Sequence, residues 1–277
     1  SLGSDDGSTA GCDGRSRRLG GMKKNPLRAA VERGEPQHGT WINMIRNPAI
    51  LTLLKSAGLD FARVDMEHSA PSIETIADMA ALARALDFPI MVRPPQANRE
   101  WITRLLDIGV MNLLCPQMES AAHAARVVAA AHYAPMGLRG NGGLGPMTDF
   151  LPVDPAEHRA HANRQVFLVA MFETEASFKD LDEIAAMDGI DALTIGPFDL
   201  AQDMGVLGTP DQDAALDEKR HRIIDAAARH GKVCSMLVSS AEQAKRWKDE
   251  GVLLLGYASD ADILFRGFSD AVAAAKG

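Results

Sequence analysis

From Met22 onward two kinds of apolar pattern alternate along the chain. Short runs of β-branched and aliphatic residues read as strands, and longer Ala/Leu-rich stretches, apolar every three or four residues, read as helices. The first run is Gly39-Thr-Trp-Ile-Asn-Met44, followed by a helix over 48–57. Phe61-Ala-Arg-Val-Asp65 precedes a helix over 72–86, and Pro89-Ile-Met-Val-Arg93 precedes one that Asn98 caps. Asn112-Leu-Leu-Cys115 comes before a helix over 120–132, and then a Gly-rich stretch runs from 137 to 146. Val166-Phe-Leu-Val-Ala170 leads to a helix over 175–186, and Asp191-Ala-Leu-Thr-Ile195 to one over 217–229. Lys232-Val-Cys-Ser-Met-Leu237 is followed by a helix that opens on a capping box, Ser240-x-x-Gln243. Gly251-Val-Leu-Leu-Leu255 leads into a last helix, capped by Ser259 and ending near Ala275.

Eight strand–helix units in about 250 residues predict a single-domain α/β fold, a (β/α)₈ TIM barrel. The runs are continuously apolar, as strands covered on both faces should be. A doubly wound open sheet is the rival; it favours a Gly-rich turn after the first strand, and none is present here. Residues 1–23 hold little to bury and are expected to form a flexible tail, leaving 24–277 for the barrel.

Composition narrows the function. There are 29 Lys+Arg against 37 Asp+Glu, a formal charge of −8, which argues against a nucleic-acid surface. No run reaches the roughly 18 apolar residues of a membrane span, and no secretory h-region is evident near the start. Cys12, Cys115 and Cys234 are too few and too scattered for a disulfide framework or a zinc cluster, so a reducing, cytoplasmic compartment is expected.

A barrel of this kind carries its chemistry at the C-terminal ends of its strands. Those ends hold Asp65-Met-Glu67-His68-Ser69, Arg93-Pro-Pro95, Glu173-Thr174-Glu175 and Gly196-Pro-Phe-Asp199. Each residue also has a plain reading: His68 as a loop histidine, Glu173 as a first-turn helix carboxylate, Asp199 as an N-cap and Arg93 as a surface charge. Their convergence on one rim favours metal-assisted chemistry, because ionised groups are costly to gather without a purpose. Glu173 and Asp199 are hard oxygen donors that would leave a Mg²⁺-like ion several open positions. Arg93 suits a carboxylate or keto oxygen, and His68 a base, acting directly or through water on the ion.

The segments Asp60-Phe-Ala-Arg-Val-Asp-Met-Glu-His-Ser69, Val92-Arg-Pro-Pro95, Leu105-Leu-Asp-Ile-Gly109, Phe172-Glu-Thr-Glu175 and Gly189-Ile-Asp-Ala-Leu-Thr-Ile-Gly-Pro-Phe-Asp-Leu200 resemble the HpcH/HpaI aldolases, class II metal-dependent pyruvate aldolases. The resemblance runs from about residue 24 to the C-terminus, and the Glu-His pair sets the chain apart from the citrate lyase and malyl-CoA lyase relatives. It implies that Glu173 and Asp199 hold a divalent ion (Mg²⁺, Mn²⁺ or Co²⁺). It also implies that His68 is the base, that Arg93 steadies the enolate, and that Asp107 raises the basicity of the histidine. Asp65 is a second candidate partner for His68, and Glu67 is placed to reach water on the ion. The N–H groups of Phe198 and Asp199 match those that hold the pyruvate carboxylate, and Trp41 and Leu237 match pocket walls, although either also suits barrel packing. Met171 stands where better-known members carry a substrate-binding Gln. The stretch from Gly140 to Pro146 lacks their Arg- and Ser-containing pattern and is expected to border the aldehyde side. Phe198 replaces a smaller residue and should narrow the pocket.

The implied reaction cleaves a 4-hydroxy-2-oxo acid to pyruvate and an aldehyde, or forms it from them. Two alternatives remain open at this point: oxaloacetate decarboxylation or another pyruvate-enolate lyase reaction, and a non-catalytic 2-oxo acid-binding barrel. No Schiff base is called for, since the only lysine that opens a strand, Lys232, lies at the end away from the rim. Ile263, Leu264, Phe268, Val272 and Ala273 form a stripe on the last helix that could close the barrel on itself. The resemblance implies instead packing on a neighbour, in a hexamer built as a trimer of dimers.

Overall fold

The structure, a computed structural model, describes residues 22–277. The expected tail, with Cys12, lies outside them up to Gly21; Lys23 already packs into the fold, its carbonyl accepting from His161 Nε2 at 2.8 Å.

Eight parallel strands close into a barrel in chain order, with β8 paired to β1. They are β1 (Gln37–Ile42), β2 (Phe61–Asp65), β3 (Ile90–Arg93), β4 (Asn112–Cys115), β5 (Phe167–Phe172), β6 (Ala192–Ile195), β7 (Val233–Val238) and β8 (Leu254–Ser259). The helices are α1 (Pro26–Glu32), α2 (Ile50–Ser56), α3 (Ile73–Leu86), α4 (Arg99–Asp107), α5 (Ala121–Ala131), α6 (Pro155–Gln165), α7 (Leu181–Ala186), α8 (Pro197–Asp203), α9 (Gln212–His230), α10 (Ala241–Asp249) and α11 (Asp260–Lys276). This is the expected (β/α)₈ barrel.

Caps explain where the helices start. Ser72, Asn98, Ser120, Ser240 and Ser259 each accept the N–H three residues on, at α3, α4, α5, α10 and α11. At α10 the box is not reciprocal, because Gln243 Oε1 accepts from Ser239 N rather than from the cap residue. At α11 it is: Asp262 accepts back from Ser259 N. The last strand starts at Leu254 rather than at Gly251, whose φ of +91° makes it the turn out of α10. Two helices have weak apolar patterns and escape a periodicity reading. One is α6, which buries no residue; the other is α1, which is short.

Side chains alternate between the two faces of each strand. Ala62, Val64, Ile90, Val92, Leu113, Leu168, Ala170 and Leu193 face out and pack with the helices in the main apolar cluster. Phe61, Met91, Leu114, Phe167, Val169, Met171, Ala192 and Leu254 form a second cluster within the barrel, joined by Leu27 and Val31 of α1. Helix α1 plugs the N-terminal mouth: Asn25 Nδ2 donates to Asn112 Oδ1 at 2.7 Å, and Arg28 binds Asp191 at 2.7 Å. The C-terminal mouth is left to polar residues.

Candidate active site

The inward phase of each strand carries on into the loop that follows it. On β2 the inward residues Phe61 and Arg63 lead to Asp65, on β3 Met91 leads to Arg93, and on β5 Met171 leads to Glu173. Arg93 and Asp65 face each other on adjacent strands and form a two-pronged ion pair, Nε to Oδ1 and Nη2 to Oδ2, both at 2.8 Å. The carboxylate of Asp65 also accepts the N–H of Glu67 at 3.0 Å, which folds the β2 loop back over the barrel. Arg93 holds Asp65 below the usual aspartate range despite its burial. Glu67 then lies 3.4 Å from Arg93 Nη1 and 3.6 Å from His68 Nε2.

Glu173 is buried just past β5. Its Oε2 accepts the backbone N–H of Gln117 at 2.6 Å, and the Gln117 side chain donates to Glu67 at 3.1 Å. A Cβ on Gly196, at the end of β6, would fall 2.6 Å from Glu173 Cγ, so the carboxylate occupies space that only glycine leaves free. Burial pushes Glu173 up to about 7, the Gln117 N–H opposes this, and the neighbouring charges of Glu67 and Asp199 add to it. Burial raises Glu67 as well, with Asp65 and Asp199 contributing, and its buried Oε2 has no hydrogen-bond partner among the described residues. Three carboxylates thus repel one another across a single space. Asp199 stands in the first turn of α8, where Leu200 is the first residue to bond back, to Gly196 O at 3.0 Å; Phe198, beside Asp199, is exposed.

The other expected positions divide. Trp41 lies under Arg93, with the guanidinium carbon 4.8 Å from its ring centre. Met171 is buried beneath Glu173. Leu237 and Phe198 line a cavity of about 450 Å³ at the β7–α8–α11 rim. His68 stands at the rim with its side chain 57% exposed. Its near carboxylate is Glu67, because the fork of Asp65 is committed to Arg93.

Asp107 does not join the group. It ends α4, and barrel helices run antiparallel to their strands, so it lies at the N-terminal mouth, bound to Arg139 at 2.7 Å. The 137–146 stretch leaves α5 at the same end and returns through α6 to the start of β5. Within one chain it therefore does not border the rim. Lys232 also lies there, donating to Met187 O. Gln117, Gly196 and Arg63 escaped the sequence reading. Gln117 directly follows Cys115-Pro116 at the β4 end, which is the signal that could have found it.

Residues 37–266 match the HpcH/HpaI aldolase/citrate lyase family. The chain belongs to this family. It is 34% identical over 245 residues to a hydroxypyruvate/pyruvate aldolase of Delftia acidovorans, covering 88% of this chain and 89% of that one. It is 32% identical over 256 residues to a 4-hydroxy-2-oxo-heptane-1,7-dioate aldolase of Salmonella dublin, covering 92% and 95%. The crystal structure of an HpcH/HpaI aldolase from Desulfitobacterium hafniense superposes with a TM-score of 0.86 at 32% identity, covering 90% of this chain and 96% of that one. Membership in this family makes the chain an enzyme of the carbon–carbon lyase class.

Proposed function

We propose that the protein is a divalent-metal-dependent pyruvate aldolase that cleaves 4-hydroxy-2-oxo acids to pyruvate and an aldehyde and forms them in reverse. The observation that carries this reading is the cluster of Glu173, Glu67 and Asp199 beside the Asp65–Arg93 pair. A carboxyl held near 7 by burial and by two like charges is a site short of a cation. Among the described residues no three His, Cys, Asp or Glu side chains are gathered closely enough to hold an ion by themselves. A two-carboxylate site for Mg²⁺, Mn²⁺ or Co²⁺, its other positions filled by water and substrate, fits this donor set. Glu173 and Asp199 would hold the ion, with Glu67 facing its waters.

When bound, the ion supplies Lewis acidity at the 2-oxo group. The N–H groups of Phe198 and Asp199, in the first turn of α8, take the substrate carboxylate. His68 accepts the 4-hydroxyl proton, the C3–C4 bond breaks, and its electron pair passes through C3 to the 2-oxo oxygen. Aldehyde and pyruvate enolate result, and protonation at C3 gives pyruvate. Arg93, fixed in orientation by Asp65, faces the developing negative oxygen. Trp41, Met171 and Leu237 wall the pocket.

Pyruvate release from a panel of 4-hydroxy-2-oxo acids, with and without EDTA, tests the reading; full activity after thorough chelation would sink it. Oxaloacetate decarboxylation is the second reading. The exposure of His68 favours it, since that reaction needs the enolate site but no base. We further assign 24–277 to a single barrel domain, with Lys23 packed against it, and propose that the enzyme is cytoplasmic and a homo-oligomer, a trimer of dimers. No helix among the described residues is long and apolar enough to cross a membrane. The uncovered apolar face of α11 supports self-association.

A further inference from the structure

Arg63 lies inside the barrel two residues before Asp65, on the same face of β2, and is only 3% exposed. Its Nη2 donates to Ser235 Oγ on β7 at 2.6 Å. Its guanidinium lies over Gly256 of β8, where an added Cβ would stand 3.0 Å from Arg63 Cζ. Among the described residues Nε has no hydrogen-bond partner and no carboxylate pairs with this side chain. Its surroundings disfavour the charge: burial, then the neighbouring cation Arg93, push it down to about 10, so it remains a cation at neutral pH. The Trp41 ring carries Arg63 at 5.4 Å and Arg93 at 4.8 Å from its centre, two guanidinium groups on one indole.

An apolar side chain would fill this place at less cost, as Phe61, Met91, Val169 and Met171 do around it. The neighbouring cation Arg93 is already committed to Asp65 on both prongs. Arg63 is therefore the one whose charge no carboxylate offsets, beneath the wall of a pocket where negative charge must develop. Its field adds most where the ligand carries the most negative charge.

We propose that Arg63 is a positioning and specificity-determining residue: through Trp41 and its own unneutralised charge it makes the pocket prefer the dianionic pyruvate enolate over monoanionic 2-oxo acids. This rests on the pyruvate-enolate reading of the site. The probes are pyruvate, a monoanion, and oxalate, a dianion shaped like the enolate, titrated calorimetrically into the enzyme with Mg²⁺. Arg63→Met should bind pyruvate within about threefold of the parent and lose at least about tenfold in oxalate affinity. Arg63→Lys, which keeps the charge, should restore most of the oxalate preference. Turnover should fall in Arg63→Met with KM little changed. Equal losses for both ligands would mean that Arg63 merely braces Trp41, and no loss for either would mean that its charge is idle; each outcome overturns the proposal. Should Arg63→Met fail to fold, Arg63→Gln reads the same ratio, and a parental ratio there overturns it too. A parent that binds neither probe overturns the enolate reading itself, and this inference with it.

Discussion

The residues of the rim differ in what each can lose. Arg93→Lys keeps a charge but gives up the planar fork that Asp65 grips, so turnover should fall by about 10²-fold or more. Exchange of the pyruvate methyl protons, which needs the enolate but no aldehyde, should slow with it; parental exchange would remove Arg93 from the mechanism. His68 separates two reactions. Aldol cleavage must take a proton from the 4-hydroxyl group and decarboxylation has none to take, so His68→Ala should cut the first by about 10²–10⁴-fold and spare most of the second. Assaying both on one preparation decides it, and parallel losses would refute the assigned role. Glu173 sets a pH dependence of stability in the metal-free protein. Its carboxyl titrates at about 7 when folded, against about 4.3 in an unfolded chain, so between those values the folded state holds a proton that the unfolded state has released. That contribution is fully present below the lower value and is lost as pH rises through the upper one. The Tm of the metal-free enzyme should therefore fall from pH 5 to pH 8 more steeply than that of Glu173→Gln, and Mg²⁺ should raise it more at pH 8 than at pH 6. Matching slopes in parent and variant would mean that the proton resides elsewhere.

At the scale of elements, the period of two along each strand decides what can be a site. Asp65, Arg93 and Glu173 share the inward phase of their strands, and their types could be read directly from the sequence at the strand ends. Strand order and most helix starts were legible for the same local reason: apolar runs and Ser or Asn caps act within a few residues. What was not legible depends on partners distant in sequence. Nothing near Arg63 says that Ser235 and Gly256 make room for it, and nothing near Gln117 says that its N–H meets Glu173. Asp107 shows the converse, a polar residue in a matching motif that the direction of its helix carries to the opposite mouth. Gly196 offers a test of this coupling between elements. In Gly196→Ala the new methyl group would meet the Glu173 side chain, whose backbone is fixed in the barrel and whose carboxylate is pinned by Gln117. Activity and divalent-ion affinity should both drop by about 10²-fold, the scale of losing one well-placed group, while the circular dichroism spectrum stays that of the parent. Unchanged ion affinity would show that Glu173 is not held by this packing.

At the scale of the whole molecule, α11 is the helix whose apolar side the barrel leaves uncovered. Ser259 and Asp262 lock its start, and Asp260 accepts the N–H groups of Asn43, Met44 and Ile45 at 2.9, 3.1 and 2.7 Å, tying the last helix to the loop after β1. Beyond that anchor the helix leaves the barrel. Asp260 is its only buried residue, and Phe265 and Phe268 are 74% and 69% exposed, with Ile263 and Val272 on the same helix also uncovered. The stripe does not close the barrel on itself. Most helical stability in proteins comes from packing an apolar face, and two exposed phenylalanines are a poor surface for an isolated chain. Packing on α11 of another copy would bury both, and the enzyme should sediment as a homo-oligomer well above the monomer mass. Phe265→Asp with Phe268→Asp should shift it toward monomer and lower its helix signal, because α11 frays when uncovered. The barrel itself should keep its cooperative unfolding, since its clusters use no residue of α11. A parent that sediments as a monomer at micromolar concentration, with its helix content intact, would show that α11 holds its shape without a partner.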